Sequence, residues 1–273
     1  MNKHNFLERF MKFNPFFLKK VKFLAVSLSA LSVTLVSLSS QAVHLSTYRI
    51  YLDNDNRTQS FIVFNKNTAS QECNLSLRHY DFDEQGNMQD YKTKALPENS
   101  AKNWIRFSPR KFTLTPANSQ TVRFNMRRKA KAKAAEYRSY LVIDCGAVTD
   151  VTAKKEMISI KPKLIHNVPI IVRMGELNTN VKLTDFTVTN EKINFFIERK
   201  GDRSVYGDIE LIDKKTNTKI SYQLNLSIYP ETSRKSFSLG TKGYNPEDLI
   251  VRFIENPKFG GDIVIEHDVI SKL

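Results

Sequence analysis

The chain has 273 residues, with 42 Lys and Arg against 28 Asp and Glu, which gives a formal net charge of +14. This basic excess lacks the concentration expected of a dedicated nucleic-acid-binding protein, so we expect no nucleic acid as a partner. Two cysteines without a nearby histidine make a poor metal site, and we expect no metal and no cofactor.

The first 42 residues have the parts of a secretory signal peptide. A basic segment with six Lys and Arg and one Glu precedes the uncharged apolar run Phe23–Ser39, and the small residues Ser40 and Ala42 follow. We therefore expect export and cleavage after Ala42, with Met11 as an alternative start. A membrane anchor is the other interpretation, because the apolar run is at the short end for a span.

Residues 43–273 keep a formal charge of +9 and are long enough for two domains of about 100 residues each. Their densest basic cluster lies in Arg127–Lys133, where alanines separate the charged residues. Such a cluster is either a solvated loop or a contact surface for an acidic partner or a membrane.

Short runs of alternating polar and apolar residues fill the first half, without a helical period. The predicted strands are Leu45–Leu52, Thr58–Asn65, Cys73–Phe82, Trp104–Phe107, Lys111–Thr115, Thr121–Met126 and Tyr137–Cys145. Turn sequences rich in Asn, Asp, Gly, Pro and Lys separate them. Seven or eight strands in this length predict an immunoglobulin-like sandwich.

The stretch from 156 to 173 has an unusually long period-2 pattern, with an apolar row that begins at Ile158 and ends at Val172. Typical strands have about 5–6 residues, and this pattern runs for about 16. Either the stretch bends near Pro162 or His166 into two strands, or part of its apolar row pairs with another chain.

After a short linker, Met174–Asn178, the second half repeats the same style. Its predicted strands are Val181–Thr189, Lys192–Arg199, Gly207–Asp213, Ile220–Tyr229, Arg234–Leu239, Leu249–Ile254 and Asp262–His267. The sequence therefore predicts an all-β protein with two immunoglobulin-like β-sandwich domains. We expect the signal peptide at 1–42, the first domain at 43–175 and the second at 176–273.

The two cysteines are placed for a disulfide bond. In a seven-strand sandwich, the strand that begins at Cys73 and the strand that ends at Cys145 are antiparallel neighbours. A bridge would close a loop of about 70 residues and contribute on the order of 3–5 kcal/mol. Two free thiols are the alternative, although an exported protein favours the bridge.

The sequence has no catalytic signature. It contains no G-x-S-x-G, P-loop, H-E-x-x-H or C-x-x-C motif, and its histidines are scattered. We therefore expect that the protein is not an enzyme.

Three segments of the first half carry a resemblance to a known family: Ser108–Phe124 (SPRKFTLTPANSQTVRF), Ala135–Ile143 (AEYRSYLVI) and Pro169–Arg173 (PIIVR). They resemble the periplasmic pilus chaperones of chaperone–usher systems. Two segments of the second half, Asp202–Leu211 and Ser227–Leu239, resemble the archaic branch of that family. The resemblance covers essentially all of residues 44–267. It implies a periplasmic protein with its two domains set as a boomerang, which binds fimbrial (pilus) subunits and delivers them to an outer-membrane usher.

The resemblance also implies a mechanism, in which the chaperone lends a strand to a subunit that lacks its last one. Ile158, Ile160 and Leu164 are then expected to enter the subunit groove, and the row from Val168 to Val172 serves the chaperone's own core. Pro162 interrupts the donor row, because proline has no backbone N–H to donate. Without a subunit, Ile158–Leu164 is also a candidate for self-capping in a homodimer.

In this family a basic pair anchors the C-terminal carboxylate of the subunit, a contact that suits Arg or Lys. Arg49 matches the first-strand member of the pair. Pro169 stands where the last-strand lysine is expected, so Lys163, Lys161 and Arg123 are the candidate substitutes.

Glu136 and Arg173 match two members of the interdomain ion cluster of the family, and we expect them to pair near the hinge. The family's third member is an Asp, and Lys258 occupies its position here. Glu255 and Asp262 are close to it in sequence.

A structural or adhesive surface protein, such as a fimbrial subunit built of the same domains, is the alternative function. A subunit needs an N-terminal donor extension and an incomplete sandwich. The expected mature chain begins almost directly with strand sequence at Leu45, which favours the chaperone.

Overall fold

The structure, a computed structural model, describes residues 43–127, 133–148, 163–189 and 191–270. Residues 41–273 belong to one compact unit, and its described part forms two β-sandwiches. The expected signal peptide lies outside the described residues. Within the four ranges, no helix is long and apolar enough to cross a membrane. No group of three or more His, Cys, Asp or Glu residues in the same ranges could hold a metal ion.

The first sandwich combines a four-stranded sheet, in the order β1-β3-β9-β7, with a five-stranded sheet, in the order β2-β11-β10-β4-β8. The strands of this half of the chain are β1 (His44–Leu45), β2 (Ile50–Leu52), β3 (Thr58–Phe64), β4 (Gln71–Arg78), β5 (Tyr80–Phe82), β6 (Met88–Asp90), β7 (Ile105–Ser108), β8 (Lys111–Leu114), β9 (Ser119–Met126), β10 (Ala135–Ala147) and β11 (Ile165–Met174). Of these, β5 and β6 belong to neither of the two sheets. A short 3-10 helix, Ala101–Asn103, precedes β7.

The second sandwich combines a three-stranded sheet, in the order β12-β13-β16, with a four-stranded sheet, in the order β15-β14-β17-β18. Its strands are β12 (Thr179–Val188), β13 (Lys192–Gly201), β14 (Val205–Asp213), β15 (Thr218–Ile228), β16 (Arg234–Gly240), β17 (Leu249–Glu255) and β18 (Val264–Asp268). Short 3-10 helices, Pro246–Asp248 and Pro257–Phe259, flank β17. The predicted fold class is confirmed, and the boomerang angle between the domains stays a prediction.

Alternation along the strands builds each core. In β9, for example, Val122 and Phe124 are buried while Thr121 and Arg123 are exposed, because successive side chains point to opposite faces of a sheet. Each sandwich has its own cluster of buried apolar side chains between its two sheets. Burial of apolar surface in these clusters is the main favourable contribution to folding.

The single strand predicted at Leu45–Leu52 is instead divided into β1 and β2. The short β1 pairs with β3 in one sheet, whereas β2 runs parallel to β11 in the other sheet. Strand alternation predicts extended backbone, but it does not predict the sheet with which that backbone pairs.

The strand predicted at Cys73–Phe82 is also divided, into β4 and β5. The second part turns away to form a hairpin with β6, which is a separate two-stranded sheet. Phe82 of this hairpin packs against Tyr229 of the second sandwich, with ring centroids 4.6 Å apart. The hairpin therefore helps to hold the two sandwiches together.

The disulfide between Cys73 and Cys145 is present, with an S–S distance of 2.04 Å. The two cysteines stand directly opposite each other in the antiparallel pair of β4 and β10. Both are buried in the first core, so the bridge joins two central strands of one sheet.

Candidate functional site

The candidate donor segment is the first half of β11, which has a free edge. On one side β11 pairs with β10 along its full length, from Met174 to Ile165. On its other side β2 covers only Ile170–Val172. Residues 165–169 therefore have no strand partner on that side among the described residues. A free strand edge offers unpaired N–H and C=O groups to another chain.

The side chains of β11 divide into a buried part and an exposed part. Val168, Ile170 and Val172 are 2%, 0% and 0% exposed and belong to the first core. At the beginning of the strand, Leu164 and Ile165 are 52% and 45% exposed. The apolar row thus continues past the domain's own core. The other predicted donor residues, Ile158 and Ile160, lie outside the described residues.

The candidate anchor Arg49 directly precedes β2 and is 0% exposed. Its Nη1 donates to Oγ of Ser227 at 3.2 Å, and its Nη2 donates to Oγ of Ser204 at 3.4 Å. Its guanidinium carbon lies 4.4 Å from the centre of the Tyr206 ring. All three contacts come from the second sandwich, so Arg49 lies in the interface between the domains.

No carboxylate of the described residues pairs with Arg49, and its Nε has no hydrogen-bond partner among them. A buried charge held only by neutral groups is energetically costly. A carboxylate brought by a partner would supply the missing counter-charge. Because the side chain is covered in this structure, such a partner must displace groups such as the two serines.

The two predicted partners of Arg49 that the structure describes, Lys163 and Arg123, do not lie beside it. Lys163 forms an ion pair with Asp144 of β10, before the beginning of β11. Arg49 is next to Ile50, which pairs with Ile170. Lys163 therefore lies about six or seven residues before the part of β11 that is beside Arg49, which is roughly 20 Å along an extended strand. Arg123 lies on the outer face of β9, in the other sheet. Lys161 lies outside the described residues.

Glu136 and Arg173 form an ion pair at the junction of the two sandwiches. Nε of Arg173 donates to Oε2 of Glu136 at 2.9 Å, and both side chains are buried. The two residues stand opposite each other in β10 and β11. Ser204 of the second sandwich donates its backbone N–H to both carboxylate oxygens at 3.1 Å.

Arg173 also reaches across to the second sandwich. Its Nη2 donates to the carbonyl oxygen of Ser204 at 2.8 Å, and its Nη1 donates to that of Gly260 at 2.7 Å. Gly260 has φ +70, and a Cβ there would lie 2.2 Å from Oη of Tyr51. This position therefore requires glycine both for its backbone conformation and for space.

The acids that the sequence places near this cluster bind a different arginine. Arg203 donates to both oxygens of Glu255, at 2.7 and 2.9 Å, and to Asp262 at 2.9 Å. Burial alone would lower the pKa of Arg203, but its hydrogen bonds to Glu255 and the adjacent acid charges raise it. Arg203 precedes Ser204, so this second pair fixes the backbone that Arg173 and Glu136 contact.

Sequence reasoning missed a further interdomain arginine, Arg138. It is buried, and it donates to both oxygens of Glu231 of the second sandwich, at 3.0 and 2.8 Å. Its guanidinium carbon lies 4.1 Å from the centre of the Tyr229 ring. Burial alone would raise the pKa of Glu231, but the hydrogen bonds and charge of Arg138 lower it. The alternation of β10 could have indicated this residue, because it places Arg138 on the same face of the strand as Glu136.

His79, beside this arginine, is a buried group that can titrate. Its Nδ1 lies 3.2 Å from the carbonyl oxygen of Arg138. Burial and then the charge of Arg138 lower the pKa of His79 below its ordinary 6.5, although Asp81 partly opposes this shift. Because the folded-state pKa is the lower one, the neutral ring contributes stability above the unfolded-state pKa. That contribution is lost as the pH falls through the folded-state pKa.

We expect the free energy of unfolding to fall as the pH drops below about 6.5, the ordinary pKa of histidine, and to fall less steeply in His79→Asn. The asparagine amide can donate to the same carbonyl without titrating in this range. Urea denaturation of both proteins at several pH values measures the two slopes. Equal slopes would show that His79 is not the cause of the pH dependence of stability.

No family model and no curated protein matches the sequence. Solved structures do match. The complex of Salmonella enterica SafA pilin with the SafB chaperone has a TM-score of 0.48 and 13% identity, covering 85% of this chain and 98% of that chain. The CsuC–CsuE chaperone–tip subunit complex from archaic Csu pili of Acinetobacter baumannii has a TM-score of 0.47 and 7% identity, covering 82% and 97%. The YadV chaperone has a TM-score of 0.45 and 12% identity, covering 82% and 98%.

Proposed function

We propose that this protein is a periplasmic chaperone for pilus subunits, which it holds by lending them a strand and delivers to an outer-membrane usher. In this proposal residues 43–175 form the domain that carries the donor strand, and residues 176–273 form the second domain. The observation that carries the proposal is the free edge of β11 at residues 165–169, with exposed apolar side chains at its beginning.

The free edge supports strand donation for two physical reasons. The backbone groups of residues 165–169 can pair with a strand of a subunit whose own last strand is missing. Leu164 is on the same face as the core residue Val168, and it is 52% exposed. An apolar side chain in that position can fill a pocket of the subunit, because alternate residues of a donated strand point to one face.

The second support is the unpaired charge of Arg49. It lies beside β2, and β2 pairs with the last part of β11. A subunit strand that runs along β11 toward the second sandwich would carry its terminal carboxylate toward this arginine. A charge-assisted hydrogen bond between them would fix the register of the added strand.

Co-purification from the periplasm tests the proposal. We expect a tagged wild-type protein to carry a stoichiometric small secreted β-rich subunit, identified by mass spectrometry. The amount of subunit that co-purifies with Leu164→Asp should be at least about tenfold lower, because a charge would enter an apolar pocket of the subunit.

The matched control is Leu224→Asp. Leu224 is 50% exposed on β15, in the second sandwich and away from the free edge of β11. This variant should carry as much subunit as the wild type. Equal losses in the two variants would contradict donation at the β11 edge. A wild-type protein without a bound subunit would favour the structural or adhesive alternative.

A further inference from the structure

The outer face of the sheet β1-β3-β9-β7 carries a group of four exposed arginines. They are Arg106 on β7, Arg110 just after it, Arg123 on β9 and Arg127 just after β9. They line one shallow depression of about 590 Å³. We call this surface the arginine face.

Strand register brings these side chains together on the outside of the domain. In the antiparallel pair of β7 and β9, Arg106 stands opposite Asn125 and Ser108 opposite Arg123. The alternate residues Phe107 and Phe124 are buried in the first core. The arginines therefore point to solvent, since successive side chains of a strand face opposite ways.

Within the part of the chain that the structure describes, no acidic side chain lines the arginine face. The remaining residues that line the depression are Phe107, Ser108, Thr121 and Asn125. Its neighbours on the outer side of β3 are Thr58, Ser60 and Ile62, which are also uncharged. In the sequence, no Asp or Glu occurs between Glu98 and Glu136. Four like charges without counter-ions produce a local positive potential that attracts an anionic partner.

The chemistry of the face favours phosphate groups over an acidic protein. A guanidinium binds a phosphate in a bidentate way, and the nearby hydroxyl and amide groups add hydrogen-bond donors. A specific protein interface has an apolar or aromatic centre. Ile62, 41% exposed, is the one large hydrophobic side chain that the described part of this face exposes. A flat, charged and largely polar face suits electrostatic attachment to anionic headgroups.

We propose that the arginine face docks the protein on a membrane surface containing anionic phospholipids. The proposal is independent of strand donation, because β11 belongs to the other sheet of the same sandwich. A protein attached through this face would keep the free edge of β11 available to a second partner.

Vesicle co-sedimentation tests the proposal. The probes are vesicles of phosphatidylcholine alone and vesicles with about 30 mol % phosphatidylglycerol, at low and high salt. We expect binding to the anionic vesicles only, and weaker binding at high salt. Arg106→Gln with Arg123→Gln should bind about twentyfold less tightly, at about fivefold for each arginine.

The matched control is Lys182→Gln with Lys200→Gln, which removes two exposed positive charges from the second sandwich. It should bind within about twofold of the wild type if the arginine face is the docking site. Arg106→Lys with Arg123→Lys should bind less tightly than the wild type but more tightly than the glutamine variant, because it keeps the charge and loses the bidentate contact with phosphate.

Four results would overturn the proposal. The first is equal binding to neutral and anionic vesicles, and the second is an equal loss in the lysine control. The third is that millimolar inorganic phosphate, added at constant ionic strength, releases the protein from the vesicles, which would indicate a site for a soluble phosphate. The fourth is that the protein does not bind vesicles and instead binds an acidic protein through the four arginines, which would then be the partner in place of the membrane.

Discussion

Replacing Arg173 by methionine is expected to lower the free energy of unfolding by about 3–5 kcal/mol. The substitution leaves the Glu136 carboxylate buried without its cation, although the backbone N–H of Ser204 still donates to it. It also leaves the carbonyl oxygens of Ser204 and Gly260 without the guanidinium that bridges the two sandwiches. A buried charge that loses its partner is among the most costly single changes in a protein.

Urea denaturation measures this effect, and Arg252→Met provides the matched control. Arg252 forms an ion pair with Glu266 between β17 and β18, where both side chains are partly exposed to water. Exposed pairs contribute about 0–1 kcal/mol, so the control should remain close to the wild type. Similar decreases in the free energy of unfolding of the two variants would show that the buried Glu136–Arg173 pair stabilises the fold no more than an exposed pair does.

Much of the first sandwich could be predicted because its strands are regular. The alternation of β11 places Val168, Ile170 and Val172 in the core, and the structure confirms this division. Neighbouring strands in a sandwich also limit where cysteines meet, and Cys73 and Cys145 stand opposite each other. Local periodicity is enough for such inferences, because it states which face of a strand is buried.

The interdomain contacts could not be predicted in the same way. Arg138 binds Glu231 of the second sandwich, 93 residues away, across turns whose geometry no local pattern states. Arg203 lies beside this junction and binds Glu255 of its own sandwich, 52 residues away. The sequence resemblance pointed to Glu136 and Arg173, found Lys258 where the family has its third acid, and noted only that Glu255 and Asp262 are close in sequence. Those two acids instead hold Arg203 beside Ser204.

Local periodicity also could not predict that the first predicted strand, residues 45–52, divides between two sheets. Residues 45–52 alternate well enough for one strand, yet β1 and β2 belong to different sheets. The change of sheet leaves β2 next to the end of β11 only, and the first half of β11 free. The feature that supports the proposed function is therefore a consequence of pairing between distant segments.

Arg49→Met is expected to separate function from stability. We expect subunit capture to fall by about thirtyfold or more, since loss of a buried charge partner costs a complex about 2–5 kcal/mol. The free energy of unfolding should be unchanged or higher by up to about 2 kcal/mol. The reason is that the guanidinium is fully buried, and its contacts among the described residues are two serine hydroxyls and the Tyr206 ring.

Arg138→Met is the matched control, because Arg138 is also a buried arginine between the sandwiches. It differs in having a carboxylate partner, Glu231, on the second sandwich. Its replacement should therefore destabilise the fold by about 2–4 kcal/mol. Urea denaturation and co-purification of both variants give the four values needed. If Arg49→Met destabilises the fold as much as Arg138→Met and still captures the subunit, Arg49 is a structural arginine and the anchor lies elsewhere.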